Sequence, residues 1–201
     1  MKDKLSIDKI IQKIDKENIL TWFDLGLYLD RIKDKRIIPS TKKWKDAQDF
    51  LKNFEGRGVA FLTFHYSIDG VTVEVSKYAD LVKRNLPGAN VHYISGVFKP
   101  EGEKLIPGFV IKHQIEELKG FDEWGLYRKF YFNRMERGGV DYNSLIKEFW
   151  KESLQLVEKI GKYILKNDIH LLYVINVNSN PGNVSFALAI VLLSEYLGIP
   201  V

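Results

Sequence analysis

The fold class that the sequence predicts is an α/β domain on a parallel sheet, and three observations predict it. Val59–Phe64, inside "GRGVAFLTFHY", is a nearly unbroken β-prone apolar run. Such a run suits a strand covered on both faces, as in a parallel sheet. The turn "SIDG", the helical stretch "VTVEVSKYADLVKRN" and the strand "NVHYIS" (90–95) follow, with Pro87-Gly88 stopping the helix, and together they form a βαβ unit. The alternation then returns as a long helix, the strand "HLLYVINV" (170–177) and a helix over 184–197. Alternating β and α of this kind predicts a doubly wound, Rossmann-like domain.

The first 54 residues show no strand-like alternation and read as an N-terminal helical extension, with the α/β domain over 55–201. Ile7, Ile10, Ile11 and Ile14 repeat at the spacing of one buried helix face. Thr21 stands as N-cap before "WFDLGLYLDRIKD", with Asp24 in the first turn where the helix dipole favours a carboxylate. Ser40 is the expected cap of a third helix with Trp44, Ala47, Phe50, Leu51 and Phe54 on its apolar side. After the βαβ unit the turn-rich "GVFKPEGEKLIPG" (96–108) is expected to form a hairpin with "FVIKHQ". "FDEWGLYRKFYFNRMERGG" (121–139) is expected to be a helix ended by Gly138-Gly139. Asp141 then caps a long helix whose apolar positions, Leu145 to Ile164, keep a helical period. Gly198 is a natural residue to end the last helix, and "IPV" is expected to open another strand.

Composition narrows the function. The chain has no cysteine, which excludes disulfides and thiolate chemistry and fits a reducing, cytoplasmic setting. Its 30 basic and 26 acidic residues interleave, so the net charge of +4 does not make a one-signed nucleic-acid surface. The basic and aromatic stretch "YRKFYFNRMERGG" reads as a packed helix face rather than a nucleic-acid platform. The apolar run in 184–193 is too short to span a bilayer. His65, His92, His113 and His170 fall on separate elements without ligand spacing, so no metal site is expected. His92 and His170 sit at strand starts and read as structural.

In an open parallel sheet, ligands bind beyond the carboxyl ends of the strands. That rule selects "HYSIDGVT" and "NVNSNPGN". In the first, His65, Tyr66, Asp69, Gly70, Val71 and Thr72 are candidates, because free N–H groups at a helix start can receive an anion. A tight turn alone explains Gly70 equally well, and neither dinucleotide nor P-loop glycine spacing is present. A small nucleotide-dependent reductase or epimerase therefore ranks last. In the second stretch, Asn178, Ser179, Asn180 and Asn183 are candidates for hydroxyl recognition, since amides donate and accept at once. The same residue types also form ordinary turns and helix caps.

The stretches "GVAFLTFHYSIDGVTVEVSKYADLVKRNLPGANVHYIS" and "HLLYVINVNSNPGNVSFALAIVLLSEYLGIPV" resemble retaining glycosyltransferases of the GT-B fold, of the group that includes sucrose-phosphate and trehalose synthases. The resemblance covers 56–95 and 170–201, and Asp69-Gly70-Val71 has one glycine where that family commonly has two. It implies an N-terminal domain that holds a sugar or sugar-phosphate acceptor. A second domain would bind the nucleotide sugar, and no metal or other cofactor would take part. On that reading the chain is an incomplete α/β domain, inactive alone, and no residue in it is assigned as catalytic. A non-catalytic Rossmann-like module that binds a ligand or partner is the alternative. The helix 184–197 is apolar nearly all round, and such a helix needs cover on more than one side. An exposed apolar patch near 186–201 and self-association through it are the corresponding expectations.

Overall fold

The computed structural model describes residues 6–34, 45–180 and 182–201. Its centre is a four-stranded, all-parallel sheet of order β3-β2-β1-β4: β1 is Gly58–Tyr66, β2 Asn90–Phe98, β3 Ile111–Gln114 and β4 Ile169–Val174. The fold is α/β and Rossmann-like, with helices on both sheet faces. β1 lies between β2 and β4 with packing on both faces, which is why its apolar run is continuous: Val59 and Phe61 are buried on one face and Ala60, Leu62 and Phe64 on the other.

Helix α4 (Gly70–Asn85) makes the β1–β2 crossover. Val75 and Ala79 of α4 pack with Val59, Phe61, Val91, Tyr93 and Phe54 in the smaller of two hydrophobic clusters. The larger cluster lies on the opposite face. It joins Ala60, Leu62, Phe64 and Ile94 of the sheet to α6 (Val140–Lys166) and α7 (Val184–Leu197). Each large apolar side chain so buried contributes about 1.5–3 kcal/mol.

The N-terminal helices α1 (Ile7–Asp15) and α2 (Trp22–Asp34) belong to that larger cluster through Ile7, Ile10, Ile14, Leu25 and Tyr28. The predicted Thr21 cap is present as a reciprocal box: Thr21 Oγ1 accepts the Asp24 N–H at 3.1 Å, and Asp24 Oδ2 accepts the Thr21 N–H at 2.8 Å. Gly161 on α6 is where α1 and α7 meet. A Cβ there would stand 2.4 Å from Ile7 Cδ1 and 3.0 Å from Leu193 Cδ2. Tyr28 of α2 reaches the far end of α7, its hydroxyl 2.9 Å from that of Tyr196. These contacts overturn the expected apolar patch. Phe186, Leu188, Ala189, Ile190, Leu192 and Leu193 are all buried, and on α7 Val191 alone among the large described hydrophobics is exposed. The cover comes from α6, the sheet and residues near the other end of the chain.

Four local expectations also change. The 96–114 stretch is not a hairpin, because β3 runs parallel to β2. Parallel neighbours need a crossover of about a dozen residues. The chain between Phe98 and Ile111 supplies it, with a 3-10 turn at Pro100–Leu105. Ser76 Oγ of α4 holds this crossover by donating to the Leu105 carbonyl at 2.6 Å. The 121–139 stretch is helical only at Tyr127–Tyr131 (α5), with a 3-10 turn at Phe121–Glu123. Trp124 and Leu126 are drawn into the core, and the Trp124 indole N–H donates to Glu152 at 2.9 Å, which pulls the chain out of a regular helix. Gly139, not Asp141, is the N-cap of α6, and Asp141 lies in its first turn. Strand β4 stops at Val174, and Ile199–Val201 forms no strand. Instead the Pro200 carbonyl accepts the Leu172 N–H at 3.0 Å on the outer edge of β4. The third helix, α3, is Ala47–Lys52, and its expected cap Ser40 lies outside the described residues.

Candidate functional site

The strand order reverses between β1 and β4, with β2 and β3 on one side of β1 and β4 on the other. Such a reversal is where open α/β sheets place ligands. Parallel pairing, with Leu62 opposite Val174, sets the loops after β1 and β4 side by side at the sheet's carboxyl end. Among the described residues no hydrogen bond joins these two loops.

The β1 loop is organised by one carboxylate. Asp69, in extended conformation, caps α4: its Oδ1 accepts the Thr72 N–H at 2.7 Å. Its Oδ2 accepts the Ser67 hydroxyl at 2.7 Å and lies 3.0 Å from His65 Nε2. The Ser67 N–H in turn donates to Thr72 Oγ1 at 3.0 Å. Partial burial opposes ionisation of Asp69, but the Thr72 and Ser67 bonds and the nearby His65 outweigh it and hold the carboxyl below its ordinary value. An ionised Asp69 orients the half-buried His65 with Nε2–H toward it. In the neutral imidazole Nδ1 is then an acceptor, and no hydrogen bond to it is made among the described residues. An imidazole fixed this way can accept a proton or a hydrogen bond from a ligand hydroxyl. Gly70 is exposed at the start of α4, with open space where a Cβ would stand.

Other candidates are committed to the fold. Tyr66 is fully buried, stacked on Tyr93 at 4.5 Å and on Phe98 at 5.2 Å, and donates to the Phe61 carbonyl. Val71 packs on the α4-side cluster, and Thr72 is fully buried. Asn183 is fully buried too. Its Oδ1 accepts the Phe186 N–H at 2.9 Å and so caps α7, while Nδ2 donates to the carbonyls of Glu117 at 3.0 Å and Lys119 at 2.9 Å. It is a clamp between α7 and the 117–119 loop, not a ligand contact.

The 178–180 part of the second loop faces solvent. Asn176 adopts φ 63°, in the left-handed region that asparagine tolerates. The Asn180 N–H returns to the Asn176 carbonyl at 3.0 Å, and buried Val177 anchors the turn. Asn178, Ser179 and Asn180 are exposed. The carboxyl end of the sheet therefore presents His65, Gly70, Asn178, Ser179 and Asn180.

A second constellation was not visible in the sequence. His113 of β3 stacks on Tyr163 of α6 at 3.8 Å, with the rings 9° from parallel. The Tyr163 hydroxyl meets His92 Nδ1 at 2.9 Å, and the buried His92 leaves its Nε2 without a partner. Burial, then His113, lowers the pKa of His92; burial, then Lys166, lowers that of His113. His113 and Tyr163 line a groove of ≈ 540 Å³ between the sheet edge and α6. The only sequence signal was the spacing of Lys159, Lys162, Tyr163 and Lys166, which places them on one face of a helix.

Among the described residues, no three His, Asp or Glu side chains gather as a metal-ligand set, and no helix is long and apolar enough to cross a membrane. Compared with protein-family models, curated proteins and solved structures, the chain matches none.

Proposed function

We propose that this domain binds a hydroxyl-rich small molecule, a sugar or sugar phosphate, at the carboxyl ends of β1 and β4. The observation that carries the reading is the Asp69-oriented His65 at the point where strand order reverses. His65 Nδ1 would accept from a ligand hydroxyl, and the exposed amides of Asn178 and Asn180 would donate and accept around the ring. The absence of a bulky side chain at Gly70 leaves room against the start of α4. In the enzymatic form of this proposal, the domain is the acceptor half of a glycosyltransferase, and a second domain holds the nucleotide sugar. The second reading is binding without catalysis. It is favoured by the commitment of Asp69, Thr72 and Asn183 to turns and caps, which leaves few polar groups for chemistry.

The test is titration of the chain with glucose, glucose 6-phosphate and sucrose, followed by amide and histidine NMR shifts. Saturable shifts confined to 65–72 and 176–180, weakened about three- to ten-fold by H65A, are expected for the loss of one neutral hydrogen bond. No saturable shift at these loops with any of the sugars overturns the proposal. Sugar release from a nucleotide sugar by the chain alone would overturn the assignment of the donor site to a second domain.

A further inference from the structure

The groove between β3 and α6 has the size of a small-molecule site, since such sites commonly run to about 300–1,000 Å³. Its two ends differ in charge. At one end Glu116 and Glu117 are each matched by a lysine, Lys119 at 3.6 Å and Lys159 in a close ion pair. At the other end stand Lys162, Lys166 and His113. Lys162 is shared by Glu158 at 2.6 Å and Asp8 at 3.3 Å, both surface pairs that water screens. Lys166 has no carboxylate partner among the described residues; burial, and after it the charge of Lys166, lowers the pKa of His113. Two ammonium groups, Lys166 and the screened Lys162, thus stand beside the His113 imidazole at one end of a concave space, where an anion could be received.

The wall at that end is preorganised. His113 cannot swing freely, because its ring lies flat on Tyr163. Tyr163 is itself fixed by its hydroxyl contact to the buried His92. Lys162 and Lys166 project from successive turns of α6, about 6 Å apart along its axis, which is a spacing that lets two ammonium groups reach different oxygens of one phosphate. Ile115 gives the groove an apolar floor beyond the charged end.

We propose that this groove is a site for a phosphorylated small molecule, with the phosphate held by Lys162, Lys166 and His113 and the remainder lying along the groove toward Ile115. The site is separate from the carboxyl-end loops and does not depend on a sugar being bound there.

The experiment uses the whole chain with inorganic phosphate and with AMP as probes, read by amide and histidine NMR and by calorimetry. Saturable shifts at 111–117 and 159–166 are expected, with AMP extending them toward Ile115. A charge-assisted hydrogen bond is worth about 1.5–3 kcal/mol, so K166A should weaken binding about ten-fold and the K162A/K166A pair further. K147A, which removes an exposed lysine elsewhere on α6, should change affinity less than about two-fold. The lysines are on the surface, so these variants keep the fold, and a circular dichroism melt verifies it. Absence of saturable shifts for both probes overturns the proposal. So does binding that survives K162A/K166A, or shifts that appear at 65–72 and 176–180 instead, which would place the phosphate in the sugar site.

Discussion

Replacement of Asn183 separates a clamp from a ligand contact. The side chain makes three hydrogen bonds, all inside the protein: the α7 cap to Phe186 and the two bonds to the Glu117 and Lys119 carbonyls. Loss of an N-cap costs about 1 kcal/mol. Each buried bond lost costs about 1 kcal/mol and more where a carbonyl is left without a partner. N183A should therefore lower stability by about 3 kcal/mol. N183D is the sharper variant. It keeps the acceptor for Phe186 but turns the donor that faces two carbonyls into an oxygen. Burial and those carbonyls would raise the new carboxyl's pKa, so the folded state would bind a proton that the unfolded state has released. Stability of N183D should accordingly be best below the ordinary aspartate range and fall as pH rises through the folded-state value. Urea unfolding across pH, followed by tryptophan fluorescence, reads both effects. An N183A cost below about 0.5 kcal/mol, the range of ordinary surface changes, would refute the clamp. An N183D variant as stable at neutral pH as the wild type would refute the geometry at Nδ2.

Three further outcomes follow from the packing. Burial raises the pKa of Glu152, Glu117 and Glu148 add to the rise, and the Trp124 and Ser185 bonds offset only part of it. The folded state then holds a proton that the unfolded chain has lost, so this group's contribution to stability falls as pH rises from the ordinary glutamate range through the raised value; E152Q should flatten that slope in pH-dependent unfolding while keeping an acceptor for Trp124. A Cβ on Gly96 would lie 2.4 Å from the Lys119 backbone nitrogen and 2.8 Å from the Leu118 carbonyl carbon, so G96A should cost about 1–3 kcal/mol by thermal or urea unfolding, and a neutral result would contradict the placement of that loop across β2. Deletion of residues 1–34 removes Ile7, Ile10, Ile14 and Tyr28 from α7 and α6, and light scattering with dye binding should report an aggregating, poorly packed remainder; a soluble, cooperatively folding 35–201 fragment would show that these helices are dispensable cover.

The central strands and the β1–β2 crossover were legible where burial alone decides conformation, while the β2–β3 crossover was read as a hairpin. Val59–Phe64 has to be covered on both faces, and a central parallel strand is the place that does so. Helix α7 was placed to the residue, because Asn183 caps it and Gly198, at φ 63°, ends it in a conformation glycine tolerates. What a local pattern cannot carry is the identity of a distant partner. The apolar circumference of α7 announced a need for cover but not that Ile7, across α6 at Gly161, would meet it. The amide of Asn183 has the same chemistry whether it meets a sugar hydroxyl or a carbonyl, and here the carbonyls lie 66 and 64 residues away in the chain. His92, His113 and Tyr163 likewise come together only when the β2–β3 crossover returns in parallel and lays β3 beside β2 along α6; a hairpin would have reversed β3 and sent His113 to another register. The direction of that one short strand therefore decides whether the groove exists, which makes the 99–110 crossover, with Ser76 holding the Leu105 carbonyl, as necessary to the phosphate proposal as the lysines themselves.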